Sequence, residues 1–142
     1  MHALPGFLTE LATQLGTALD GVQVVDGPPI KYIRAECVAV GITTEDASVE
    51  SSTAQAGLRA SRETVDVINL IRVWSGNSDL TPLRTRAYAL LDAIDQHLRT
   101  DPTVAGTVAY ARLIGHVYTP ARTDEGVGVF LEPRIRVDAF PS

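Results

Sequence analysis

From Val127 to Ala139 the chain alternates with a period of two. Val127, Val129, Leu131, Ile135, Val137 and Ala139 take one side, and Glu132, Arg134, Arg136 and Asp138 take the other. Successive side chains of a β-strand point to opposite faces, so this pattern is a strand with one buried side and one wet or interface-facing side. Such a strand needs an apolar layer beneath it and antiparallel neighbours beside it. Pro133 breaks the run. It has no N–H to give to a ladder, so it implies an edge position or a bulge.

The rest of the chain supplies the neighbours and the layer. Thr64 to Trp74 reads as a long strand with Val65, Val67, Ile71 and Val73 on one side and Ile68, Leu70 and Trp74 on the other. Both faces are partly apolar, which places it centrally. Val104 to Tyr118 reads as another, with Val108, Tyr110, Ile114 and Tyr118 on one face and Ala109, Ala111, Leu113 and Val117 on the other. Thr119 to Gly126 would join it to the last strand as a hairpin. Val22 to Val25 and Cys37 to Ile42 are shorter strands, the second with Val38, Val40 and Ile42 on one side. Asp26-Gly27-Pro28-Pro29 between them signals a turn.

Two stretches follow helical spacing. Leu4, Leu8, Leu11, Leu15, Ala18 and Leu19 fall on one stripe, stopped by Asp20-Gly21. Leu83, Ala87, Leu90, Leu91, Ile94 and Leu98 form the second, with Pro82 suited to the first turn and Thr81 or Ser78 to its N-cap. It should end near Thr100-Asp101-Pro102, with Asp95 and Arg99 as a surface pair. The expected fold is α+β: a mostly antiparallel sheet, two main helices packed on one face, and a polar extended arm or hairpin. The arm is Thr43 to Ser61, rich in small polar residues and carrying Glu45, Asp46 and Glu50 against Arg59. At 142 residues, with 45% hydrophobic and 20% charged residues, residues 1–142 are expected to form one domain.

Chemistry is sparse. The chain holds 1 Cys, Cys37, which excludes a disulfide framework or a multi-Cys zinc site and reads as a packed side chain. Its 3 histidines, His2, His97 and His116, form no ligand pair along the chain. No phosphate loop or nucleophile elbow is present, and Gly126-Val127-Gly128 lacks the rest of a dinucleotide fingerprint. No catalytic, cofactor-binding or metal site is therefore expected, and no cofactor. A net charge of −5 argues against nonspecific DNA binding, which needs clustered cations. No apolar run is long enough to span a bilayer, and Met1 to Phe7 does not read as a secretory signal, so a soluble protein made in a reducing cytoplasm is expected. Arg134 and Arg136 share a strand face with Glu132 and Asp138, while Arg84 and Arg86 lie on the second helix. Mixed charge of this kind suits register-setting pairs at a subunit boundary. A small enzyme or ligand-binding domain would instead need a pocket where His116, Tyr110 or Tyr118 meets a carboxylate.

Several local phrases resemble the tail terminator proteins of long-tailed bacteriophages. Leu8 to Leu19 followed by Val22-Gln23-Val24-Val25-Asp26-Gly27-Pro28-Pro29 is similar to their opening. Arg84 to Asp92 leads through Leu98-Arg99 into Thr100-Asp101-Pro102-Thr103-Val104-Ala105-Gly106, a helix end and turn of the kind they carry before a long strand. Gly126-Val127-Gly128 is similar to the start of their last strand. The resemblance spans nearly the whole chain, with motifs that are structural. It implies a homo-hexameric ring in the virion, at the head–tail junction, assembled in the host cytoplasm. Such a ring caps the tail tube protein, stops its polymerisation, and offers a surface to a head-completion or connector protein. Related neck connectors and stoppers share comparable patterns. DNA would pass through the lumen without specific binding, eased if Glu45, Asp46 and Glu50 line it.

Overall fold

The computed structural model describes residues 1–47 and 63–140. Helix α1 (Leu4–Ala18) leads into the short strand β1 (Gln23–Asp26) and then β2 (Glu36–Asp46). Strand β3 (Thr64–Ser75), helix α2 (Thr81–Thr100) and the strands β4 (Tyr110–Thr123) and β5 (Gly126–Asp138) follow. The sheet order is β1-β2-β3-β5-β4. β1 pairs with β2 in parallel, and the β2–β3, β3–β5 and β4–β5 pairings are antiparallel. The fold is α+β, with a mostly antiparallel sheet.

Both helices cover the same face. Phe7, Leu11 and Leu15 of α1 and Leu90, Leu91, Ile94 and Leu98 of α2 share one core with Val38, Val40, Val67, Ile71, Val73, Leu131, Ile135 and Val137. Phe7, absent from the expected stripe, is fully buried, whereas Ala18, which was in it, is exposed. Each side chain of this size contributes about 1.5–3 kcal/mol when removed from water. The second helix begins at Thr81, and its first N–H is accepted by Asp79 Oδ1 at 3.0 Å rather than by Ser78 or by Thr81 acting as a cap.

Several boundaries differ from the expectation, each for a local reason. β2 runs on through Thr43–Asp46, so the first four residues of the expected arm pair with Val65 to Ile68 of β3. Residues 48–61 of that arm lie outside the described residues. A bulge between Ala39 and Thr43, with Gly41 at φ 68°, shifts the register so that the polar end of β2 still pairs. Ile42 is consequently outside the core that holds Val38 and Val40.

The expected strand start at Val104 is instead a left-handed turn. Val104, Ala105 and Gly106 have φ of 47°, 55° and 77°. For the two non-glycine residues that conformation costs about 1–2 kcal/mol each. The surroundings fix it. Asp101 Oδ2 accepts the Ala105 N–H (2.9 Å), Thr103 Oγ1 accepts the Gly106 N–H (3.1 Å), and the Thr103 carbonyl accepts from Thr107 and Val108 (3.0 and 3.2 Å). Val104 itself is wholly buried. The Asp101-Pro102-Thr103-Val104-Ala105-Gly106 phrase is thus a helix stop and a strand anchor, for the Pro102 carbonyl then accepts the Ala111 N–H at 2.7 Å.

Pro133 lies in β5, an interior strand, which corrects the edge placement. The bulge expected as the other outcome is in its neighbour β4, between Leu113 and Gly115. That bulge also corrects the facing of β4. Tyr110 and Val117 stand on the face away from the helices, while His116 and Tyr118, opposite Pro133 and Leu131, stand on the helix side.

Candidate assembly surface

The face of the sheet turned away from the helices is built from alternate residues of every strand. On β3 they are Thr64, Asp66, Ile68, Leu70, Arg72 and Trp74; on β5, Phe130, Glu132, Arg134, Arg136 and Asp138, as the register requires. The two ends of this face differ in chemistry.

One end is charged. Asp66 has only 4% of its side chain exposed, and it holds two guanidinium groups. Arg136 Nε and Nη2 reach its two oxygens at 2.8 and 3.0 Å, and Arg134 Nη1 reaches Oδ2 at 2.9 Å. The Arg136 hydrogen bonds lead in holding the Asp66 carboxyl below its ordinary value, against the opposing pull of burial. Arg134 also reaches Glu45 at 2.9 Å. Asp138 accepts the Thr64 hydroxyl at 2.8 Å and lies 3.6 Å from Arg112. Arg134 and Arg136 are therefore tied through Asp66 and Glu45 across β2, β3 and β5, while Asp138 joins β5 to Thr64 of β3 and Arg112 of β4. Glu132 stands on the same face beside Val117.

Arg84 and Arg86 are not part of this network. They sit on α2, on the other side of the sheet. Arg86 makes a bidentate pair with Glu36 at 2.8 and 2.9 Å, and Arg84 Nε donates to the Tyr118 hydroxyl at 3.0 Å. The six candidate interface residues therefore fall on two separate surfaces. Of the acids expected to line a lumen, Glu45 and Asp46 end β2, and Glu50 lies outside the described residues. Glu45 is already matched by Arg134, which reduces the field it offers.

The other end of the open face is aromatic and is partly covered by the loop 27–35 between β1 and β2. Parallel strands ordinarily need about a dozen residues or more of crossover. Here the Gln23 side chain organises a shorter return. Its Oε1 accepts the Ile33 N–H at 2.9 Å and its Nε2 donates to the Lys31 carbonyl at 3.2 Å. Arg72 stacks 3.9 Å from the Tyr32 ring centre and 5.5 Å from that of Trp74. Trp74 lies against Gly128, where a Cβ would come within 2.6 Å of its ring. Cys37 is buried on this face, and burial pushes its thiol up. Sequence reasoning read the loop only as a turn. Its signal was the Ile30 and Ile33 that follow the two prolines, apolar residues in a polar context.

The side chains proposed for an enzyme-like pocket are divided. The Tyr88 hydroxyl and His116 Nε2 share a hydrogen bond of 2.8 Å, with Tyr118 stacked nearby. Tyr110 is on the opposite face. No group of three metal-ligating side chains occurs among the described residues. No helix there is long and apolar enough to cross a membrane.

No protein-family model and no curated protein matches the sequence. Among solved structures, a chain described as "Virion of native gene transfer agent (GTA) particle" aligns with 91% of this chain and 84% of its own length, at 18% identity and a TM-score of 0.34. At that distance the likeness transfers neither fold nor role.

Proposed function

We propose that the protein is a structural part of a phage-like virion: a tail terminator that forms a ring, caps the tail tube, stops its polymerisation and presents the surface to which the head attaches. The observation that carries this reading is the form of the sheet. One face packs the core and the other carries no helix among the described residues, with Asp66, Arg134 and Arg136 locked in register across it. Beside it, β4 is a 14-residue edge strand exposing Tyr110, Ile114 and Val117. A face that is open among the described residues and a long edge strand with exposed apolar side chains suit contact with other proteins. The phage assignment itself rests on the resemblance of the Leu8–Pro29, Arg84–Gly106 and Gly126–Gly128 segments.

The deciding experiment adds the purified protein to polymerising tail-tube subunits and measures tube length by electron microscopy. Shortened, capped tubes are the expected result. Unchanged tubes, with binding to the portal side of the head instead, would assign the chain to the neck as a connector or stopper. In the ring, Glu45, Asp46 and Glu50 are taken to face the DNA path. Their joint replacement by Gln or Asn is expected to slow DNA release, followed by nuclease sensitivity, while tail length stays normal.

A further inference from the structure

We propose that each subunit meets the next edge to edge, the Pro28–Arg34 loop of one copy seating against the β4–β5 hairpin end of its neighbour; this rests on the ring reading above. The strand order puts the loop, next to β1, and the hairpin at opposite edges of the sheet. The register puts them at the same end of it. Gln23, which holds the loop, is level with Cys37, Arg72, Phe130 and Thr119, and the Ala35 carbonyl at the loop's end accepts the N–H of Trp74, level with Gly128 and Ala121, close before the hairpin turn Asp124-Glu125. A neighbour related by rotation about a ring axis thus brings loop and hairpin end together with an offset of only a few residues along the strands.

The two surfaces match in charge. Ile30 and Ile33 are 103% and 72% exposed on a loop already fixed by Gln23 and by the Tyr32–Arg72 stack. A preformed apolar tip loses little entropy on docking. Lys31 and Arg34 form no ion pair among the described residues, and neither do Asp124 and Glu125. The loop is therefore a positive tip with exposed apolar side chains, and the turn a negative one, since nearby Arg122 is turned to the Ser78 carbonyl at 2.9 Å. A two-fold contact of loop with loop, or hairpin with hairpin, would set like charges together. Only the head-to-tail arrangement pairs opposite ones, and a head-to-tail contact that closes by rotation makes a ring.

The test uses two charge-reversed full-length chains, one carrying K31E and R34E, the other D124K and E125K. Self-association is read by sedimentation at rising concentration, alone and with tail tubes present, and circular dichroism checks that each chain is folded. Each variant alone is expected to associate at least about tenfold more weakly than wild type. An equimolar mixture of the two is expected to regain assembly, because every contact in an alternating ring then joins opposite charges. Wild-type rings that persist unchanged in either variant, or variants that stay apart when mixed, would overturn the edge contact while leaving the tube-capping result to judge the ring reading. A wild type that remains monomeric under all conditions would overturn it as well.

Discussion

Asn69 is the buried polar residue on which the middle of the sheet depends. It faces the core at 2% exposure, and its amide serves three backbone groups. Its Oδ1 accepts the Gly41 N–H at 2.8 Å, and its Nδ2 donates to the Val67 and Pro133 carbonyls at 3.2 and 3.1 Å. The bulge in β2 and the proline in β5 both disturb the ladder, and Asn69 satisfies groups beside each. Asn69→Ala leaves those groups unpaired in an apolar layer, so it is expected to cost about 3 kcal/mol in urea unfolding. Ala105→Gly should act in the reverse sense. At φ 55° a glycine removes the left-handed penalty but gains freedom when unfolded, a net stabilisation of up to about 1 kcal/mol. Asp66 sets a pH dependence. Its carboxyl titrates lower in the folded protein than in the unfolded chain. Its contribution is therefore complete above about pH 3.9 and is lost as pH falls below that value toward the folded pKa. Asp101, held low first by the Ala105 N–H, adds to the same loss. The urea midpoint of the wild type should fall as pH drops below about 3.9 more steeply than that of Asp66→Asn.

At the scale of elements, the strands and helices form where their periodicities place them, and the departures arise where a bulge or a turn resets the count. The β4 bulge between Leu113 and Gly115 is the clearest case. A reading by strict alternation put Tyr110 and Tyr118 on one face; one irregularity put them on two. A bulge has no sequence signature as strong as a period, because it is selected by the partner strand as much as by its own residues. The left-handed turn at Val104 was equally hidden, since a β-branched residue is the last expected there. The hairpin and loop end of the sheet depends on Gly128. Gly128→Val is expected to push Trp74 off β5 and loosen the Tyr32–Arg72–Trp74 stack. The chain has 1 Trp, so a red shift of its fluorescence reports the change directly.

For the molecule as a whole, the charged face separates stability from assembly. Arg136→Ala strips the leading partner from the nearly buried Asp66, so it should destabilise the monomer by about 2–3 kcal/mol. Glu132→Lys lies on the same face, and no ion pair of Glu132 occurs among the described residues. It should leave unfolding within about 0.5 kcal/mol of wild type. Any loss of subunit association in that variant would then report on contact rather than folding. Arg84 and Arg86, grouped with these residues by charge alone, belong to the α2 side, where Tyr118 and Glu36 engage them.

The pattern of the chain by itself determined the fold class, the two helices and five strands of the described residues and the inward half of β5, because burial is proportional to apolar area and the periods of 2 and 3.6 write that area along the sequence. The tertiary structure decided the parallel pairing of β1, the faces of β4, the grip of Asp66 on two arginines, and the placing of the end of the Gln23-held loop and the Asp124-Glu125 turn toward one end of opposite edges. These depend on which distant segments meet, and a contact between residues far apart in sequence is set by packing geometry that no local period encodes.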